Sequence, residues 1–512
     1  MIEIQTVRFD ITFDIIMPKI TLPHIDNLIR SYGLEIDVTK TRMGLFKQAM
    51  THASLGDFNY DRLEYLGDSV YHLILSEYLY DRYDDQDEGF LTRLRIRIER
   101  GDSMIELAKI IKLDRFIQIS RSTDLEGEFL EDIFEAFVAA FYLNYGIDHT
   151  RRLLVTLFER HKDFAELIHF DDNYKDQLLR YFHQMNWGEP EYVKEDDCII
   201  VCDDEGKVLG SQLLEQNRRQ AEQLASKKAL IVLKQLDNDV VSEKKIKNDK
   251  GPVDLYNSCN KLLRITDVKE IFGKYGVKPP RRVTKDDLKL YTEAMTHKSY
   301  LVRKVLTDHD KSVAKQSVPL QKKSNNRLLF LGGAVYHFVI AEHLFHQYQN
   351  EDEGFLTRLR SHIEAKKVKF CLSTQSQIKQ FILISHGIES THGRVNLKMI
   401  GKGFEAFMGA SYLLYGFAVV QRYLLEIVRQ EVNIESLIRA GINYKDQIAK
   451  IYREKGWGYP KYQLIDDKGP GHRKLFTMGV YRGRDLMARG RSGTKKRASQ
   501  LAAKRLFKKL SE

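Results

Sequence analysis

The chain has 512 residues, 43% hydrophobic and 30% charged, with a formal net charge of +10; this predicts several folded, soluble domains and a polyanionic partner. No apolar run reaches the ~18 residues that suggest a membrane span. Four scattered cysteines (Cys198, Cys202, Cys259, Cys371) exclude a disulfide framework, and no histidine stands at finger-like spacing for zinc.

From the N-terminus, residues 1–24 alternate in polarity and carry acids, which reads as an extension and not a signal peptide. Residues 25–165 form a helical unit. Over Arg62–Tyr83, Leu63, Leu66, Val70, Leu73 and Leu75 recur at helical spacing, and over Phe129–Leu143 so do Phe134, Phe137, Val138 and Phe141. Ala139 and Ala140 let another helix approach closely. A smaller unit at 171–236 holds NYKDQ, Trp187-Gly188, Pro190 and an acidic stretch, DDCIIVCDDEG. The polar, charged segment 237–256 reads as a linker.

The pattern then starts again. DEGFLTRLR at 87–95 recurs letter for letter at 352–360; MTHAS from Met50 returns as MTHKS from Met295, FEAF from Phe134 at Phe404, and NYKDQ from Asn173 at Asn443. The second larger unit is 257–435. Its offset from the first rises from 245 to 265 across residues 301–325, a basic, aperiodic insertion expected to be a mobile surface loop and a possible second contact to RNA. The last unit, 441–512, reads as α-β-β-β-α: a helix from Asn443 to Lys455, segments KYQLI, KLFTMGVY and RDLMARG, and a helix from Thr494 to Leu510.

Charge is concentrated at that end. Residues 441–512 carry 19 Lys/Arg against 6 Asp/Glu, a difference of +13, whereas 171–236 carry 9 against 13, a difference of −4. One terminal module holds the footprint of a nucleic-acid binder.

The chemistry sits in the first copy. Asp61, Glu64 and Asp68 are spaced i, i+3, i+7 and share one helical face, and Asp132 and Glu135 pair on a second helix. Acids at such spacing ordinarily form a solvated stripe. Here they interrupt strongly apolar helices, and Gly67 stands mid-helix, where it costs about 1 kcal/mol unless something packs close. Inward carboxylates need cations, and hard, oxygen-preferring Mg²⁺ is the natural occupant, with Mn²⁺ able to substitute. Two such ions suit phosphodiester hydrolysis. In the second copy Asn326, Leu329, Gly333 and Lys402 face Asp61, Glu64, Asp68 and Asp132, and of the pair on the second helix only Glu405 survives.

DRLEYLGDSVYHLILSEYLY closely resembles the signature helix of the ribonuclease III family, and DIFEAFVAAFYLNYG resembles its second acidic helix. The resemblance implies a metal-binding quartet of Glu64, Asp68, Asp132 and Glu135, with Asp61 at a supporting position where the family usually has Glu. It implies hydrolysis of double-stranded RNA to 5′-phosphate and 3′-hydroxyl ends. Family domains work as dimers around a duplex-sized cleft, so the second, inactive copy is expected to supply the partner surface as an intramolecular pseudo-dimer. The 441–512 unit resembles the double-stranded-RNA-binding domain. Lys445 and Gln447 on its first helix, Pro470, His472 and Lys474 in the loop, and Lys495, Lys496 and Arg497 at the last helix are the expected RNA contacts. The 171–236 unit is seven residues shorter at that loop and reads as the same fold reused for packing or protein contact.

The expectation is a mainly α protein with α+β modules: two all-helical endonuclease-type domains, each followed by an α-β-β-β-α module. It would act as a Mg²⁺-dependent endoribonuclease on double-stranded or hairpin RNA, away from membranes, in the cytoplasm or nucleus. The competing reading is a catalytically silent RNA-sequestering or scaffold protein.

Overall fold

The computed structural model describes residues 18–120, 129–169, 174–185, 187–203, 206–214, 218–238, 254–303, 306–441, 444–468 and 474–511. Its organising contact is the one the mid-helix glycine predicts. The first acidic helix runs Asp61–Arg82 and the second Phe129–His161. A Cβ on Gly67 would lie 1.8 Å from the Glu135 carbonyl oxygen, so the two backbones can cross there only at glycine. In the second copy Gly332, on the helix Asn326–Gln347, meets the Glu405 carbonyl on Leu397–Tyr415 in the same way, at 1.9 Å. Both copies also turn at an equivalent glycine: Gly146 at φ 79°, which breaks Phe129–His161 in two, and Gly416 at φ 78°, which follows Leu397–Tyr415.

The helical copies share one hydrophobic core, which includes Leu66, Val70, Phe134 and Phe137 from the first and Leu331, Val335, Phe404 and Phe407 from the second. Reciprocal contacts join them about a pseudo-two-fold axis. Arg62 Nη1 donates to the Tyr348 carbonyl at 2.9 Å and Nη2 to the Phe345 carbonyl at 2.9 Å; Nη1 also reaches the Glu351 carbonyl. Its counterpart Arg327 donates to the carbonyls of Tyr83 at 2.6 Å, Tyr80 at 2.8 Å, and Gln86. Each guanidinium thus plugs the C-terminal end of the other copy's long helix, where unpaired carbonyls and the helix dipole favour a cation.

The exact nonapeptide repeat belongs to the same seam. Arg95 stacks on Phe330 at 4.6 Å and Arg360 on Tyr65 at 4.8 Å. Tyr142 donates to Glu342, and its counterpart Tyr412 to Glu77. On the axis itself His72 and His337 lie 5.2 Å apart, centroid to centroid.

Each α/β module is a three-stranded antiparallel sheet in sequential order backed by two helices with its own small core. The first has strands Glu191–Glu195, Cys198–Cys202 and Val208–Leu213 between helices Tyr174–Gln184 and Arg218–Asn238. The second has Lys461–Lys468, Leu475–Arg482 and Asp485–Ser492 between Tyr444–Glu454 and Lys495–Ser511.

Four boundaries and one element differ from the sequence expectation. Ile20 is buried and a helix already begins at Leu22, so the first domain starts inside the expected 1–24 extension. That domain continues past 165 through the helix Phe164–His169, where Phe164 packs on Tyr78. The second continues past 435 through Ile434–Gly441. The linker ends before 256, because Leu255 is buried in the second copy; residues 239–253 lie outside the described residues.

The insertion 301–325 is not the structureless loop its composition suggests. It holds the helix Asp308–Val313, closed by a capping box in which Asp310 N donates to Thr307 Oγ1 at 3.0 Å. Asp310 is fully buried and accepts from the backbone of Leu255 at 2.7 Å and Tyr256 at 2.8 Å. Basic side chains mask these anchors in the sequence. Lastly, the helix Asn326–Gln347 is long and apolar enough to cross a bilayer, but 72% of its apolar window is buried in the protein core.

Candidate active site

Glu64, Asp68, Asp132 and Glu135 converge at the Gly67 crossing, because that close approach brings the carboxylate faces of the two helices together. Like charges hold them apart: no three bring oxygens within 4.8 Å of one another. Burial, and then Asp132, Glu353, Asp61 and Asp68, push the Glu64 carboxyl up to about 8. Burial also drives Glu135 well above the ordinary range, and the largest charges acting on it are other acids: Asp68, Glu64, Glu131 and Asp132. Asp132 is raised by burial, against the pull of Tyr60, whose hydroxyl donates to Asp132 Oδ2 at 3.1 Å. Asp61 stands beside them, raised by burial and by Glu353.

Asp68 differs. Burial raises its carboxyl, but His337 and Arg360 of the second copy outweigh that and hold it below the usual range. Arg360 Nη1 lies 3.5 Å and His337 Nε2 3.7 Å from Asp68 Oδ2. His337 is tied in turn to Glu364 at 3.0 Å, as its counterpart His72 is tied to Glu99 at 2.8 Å. Burial lowers His337, and the two carboxylates overcome this to raise it to about 9.

Three residues of this site escape the sequence reading. Glu353, the glutamate of the second DEGFLTRLR, acts on Asp61 and Glu64 across the domain seam. His337 and Arg360 do the same for Asp68. The sequence signals are the repeated nonapeptide for Glu353 and Arg360 and the Val-Tyr-His repeated at 70–72 and 335–337 for His337, and neither says which copy each side chain faces.

An oxygen-only donor set that is partly buried, with acids pressing on Glu64 and Glu135, fits a hard divalent cation. The matching place in the second copy does not. Leu329 is buried there, and Glu405 Oε1 accepts from Lys369 Nζ at 2.6 Å. Met104 fills the position of Lys369 in the first copy. Burial raises Glu405 and Lys369 opposes it. The chain supplies its own cation where the first copy has none.

The two α/β modules diverge in the same manner. In the second, Lys495, Lys496 and Arg497 are exposed at the start of the last helix, and Gln447 is exposed on the first. Lys445 stacks on Tyr462 at 4.4 Å, and Lys474 pairs with Asp467 at 2.7 Å. Pro470 and His472 lie outside the described residues. In the first module Glu222 takes up the corresponding cations: Lys175 Nζ at 2.5 Å and Arg218 Nε at 2.9 Å. Ser499 stands where Glu222 does.

Comparison with known proteins matches residues 61–146 to the ribonuclease III domain, 287–431 to a ribonuclease-III-like domain, and 444–510 to the double-stranded RNA binding motif. A probable ribonuclease 3 of Acanthamoeba polyphaga mimivirus is 45% identical over 95% of this chain and 96% of its own length. A ribonuclease 3 of Bacillus cereus is 33% identical over 45% of this chain and 88% of its own. Among solved structures, the nuclease domain of a ribonuclease III from Campylobacter jejuni aligns at 25% identity and a TM-score of 0.26, covering 32% of this chain and 98% of that one.

Proposed function

The chain belongs to the ribonuclease III family of double-stranded-RNA endoribonucleases, and we propose that it cuts double-stranded or hairpin RNA at a single site in its first copy. The supporting observation is the contrast between Glu135, pressed chiefly by other acids, and Glu405, neutralised by Lys369. Glu64, Asp68, Asp132 and Glu135 would hold Mg²⁺, or Mn²⁺ in its place. Bound there, the ions would supply Lewis-acid stabilisation of the phosphodiester and lower the pKa of an attacking water, and cleavage would leave 5′-phosphate and 3′-hydroxyl ends.

The remaining work belongs to the chain. The Tyr60 hydroxyl fixes the rotamer of Asp132 by donating to it. Arg360 and His337 keep Asp68 ionised, so one ligand carries its charge before any cation arrives. Glu353 adds a carboxylate from the far wall, so the first copy's site is built from both copies. Exposed Lys495, Lys496 and Arg497 would meet phosphates, with Lys445, Gln447 and Lys474 beside them, and Pro470 and His472 would enter a minor groove.

One site per cleft predicts one nick per binding event. A hairpin labelled on both strands, incubated with excess protein and Mg²⁺ for a single turnover, should be cut on one strand only. Cutting of both strands in that turnover would exclude the one-site reading; an uncut duplex would favour the silent-scaffold alternative.

A further inference from the structure

Three segments far apart in sequence meet where the linker enters the second copy. Asp254 ends the connection, His309 lies on the insertion helix Asp308–Val313, and His386 opens the short helix His386–Ser390. One donor atom from each lies within 4.8 Å of the others, and all three side chains are partly buried. The imidazole rings stack at 4.6 Å between centroids and 34° between planes. Neither imidazole makes a hydrogen bond to another described residue.

The backbone holds this arrangement without any ligand. Gly387 N donates to the Asp254 carbonyl at 3.1 Å and His386 N to the Leu255 carbonyl at 3.3 Å. Buried Asp310 clamps Leu255 and Tyr256 from the insertion side. Thr307 Oγ1 donates to Asp254 Oδ1 at 2.8 Å. A hydroxyl held on one carboxylate oxygen is the outer-shell partner that orients a metal ligand and leaves the other oxygen available.

We propose that Asp254, His309 and His386 bind a zinc-class transition metal ion that clips the insertion and the end of the linker onto the second copy. Two imidazoles with one carboxylate are a donor set that Zn²⁺ accepts, its fourth position going to water. Mg²⁺ prefers oxygen alone, so the chain would sort two cations by chemistry: Mg²⁺ to the carboxylates of the first copy, Zn²⁺ here. Around Zn²⁺ with bonds of about 2.0–2.1 Å, tetrahedral donors stand roughly 3.4 Å apart. The donor atoms already lie within 4.8 Å of one another, and backbone hydrogen bonds hold the segments of Asp254 and His386 together.

The test uses the full chain, stripped with chelator and dialysed against Zn²⁺ or Co²⁺ in excess Mg²⁺. Wild type should retain one more equivalent than H309A/H386A, show the visible absorption of Co²⁺ bound to imidazole, and melt at a higher temperature with Zn²⁺ than without. H309A/H386A should show none of these, while E64Q/D132N keeps all three. Two results overturn the proposal: wild type that binds no tight Zn²⁺ in a direct calorimetric titration, which needs no variant to fold, or an extra equivalent that disappears in E64Q/D132N and survives in H309A/H386A.

Discussion

Glu135 and Glu405 sit behind the same glycine crossing, on equivalent helices, in the same shared core. Around the first are Glu64, Asp68 and Asp132; against the second rests the ammonium of Lys369. The difference separates two pressures on one architecture. Packing, helix crossing and the Arg62–Arg327 exchange are alike in both copies, because each copy is needed to cover the other. On the proposed reading, the carboxylates are needed only where cleavage would occur. An unneutralised acid cluster is a standing cost to folding, and the second copy has relieved it with Leu329, Gly333 and two lysines. It still serves the first copy through Glu353, His337 and Arg360.

The sharpest way to break this comparison is to remove the same carboxylate from each side. E64Q or E135Q should reduce cleavage on the order of 10²–10³-fold or more, with RNA affinity by filter binding unchanged, while E405Q leaves the rate at wild-type level. Loss of activity in E405Q would mean that the second copy takes part in chemistry. The seam comes next. R62A and R327A each strand carbonyls of the opposite helix, at about 1–3 kcal/mol per unpaired acceptor. Both should lower the melting temperature by similar amounts in thermal denaturation, and unequal drops would refute a symmetric seam.

A smaller effect follows from Glu64. Its folded carboxyl titrates near 8 against an ordinary value of 4.5, so between these values the folded state holds the extra proton and stability falls as pH rises. Melting curves without divalent cation should show that decline, and saturating Mg²⁺ should flatten it by replacing the proton. E64Q should reduce the decline, and the raised carboxyls of Glu135, Asp132 and Asp61 should supply what remains. The smallest effects concern the modules. K495A/K496A should lower the salt slope of RNA affinity by roughly one unit per lost phosphate contact. R218A should leave it unchanged, because Glu222 already holds that cation.

The repeat, the acids of the first copy and their loss from the second are legible in the sequence because each is a matter of residue identity at fixed helical spacing. Gly67 announces its crossing for the same reason: a costly residue in a helix needs a neighbour. What crosses the seam is not legible. Glu353 lies 289 positions from Glu64, and a conserved nonapeptide does not state which face it serves. The insertion reads as a loop since its lysines dominate its composition, while one buried aspartate, Asp310, holds it in place. The pairing of Glu222 with Lys175 is hidden as well, because those two meet only when their helices pack, whereas the pairing with Arg218 is an i,i+4 contact within one helix.

The reciprocal arginine plugs also bear on how the protein behaves when scarce. A cleft made from two separate chains falls apart on dilution, and its output drops faster than its concentration. Here both walls travel on one polypeptide, so their encounter is set by tether length and not by how many molecules share the solution. Specific activity should therefore stay constant down to very low amounts of protein. The unlike walls also give the cleft a head and a tail, so a bound duplex should take one orientation in it.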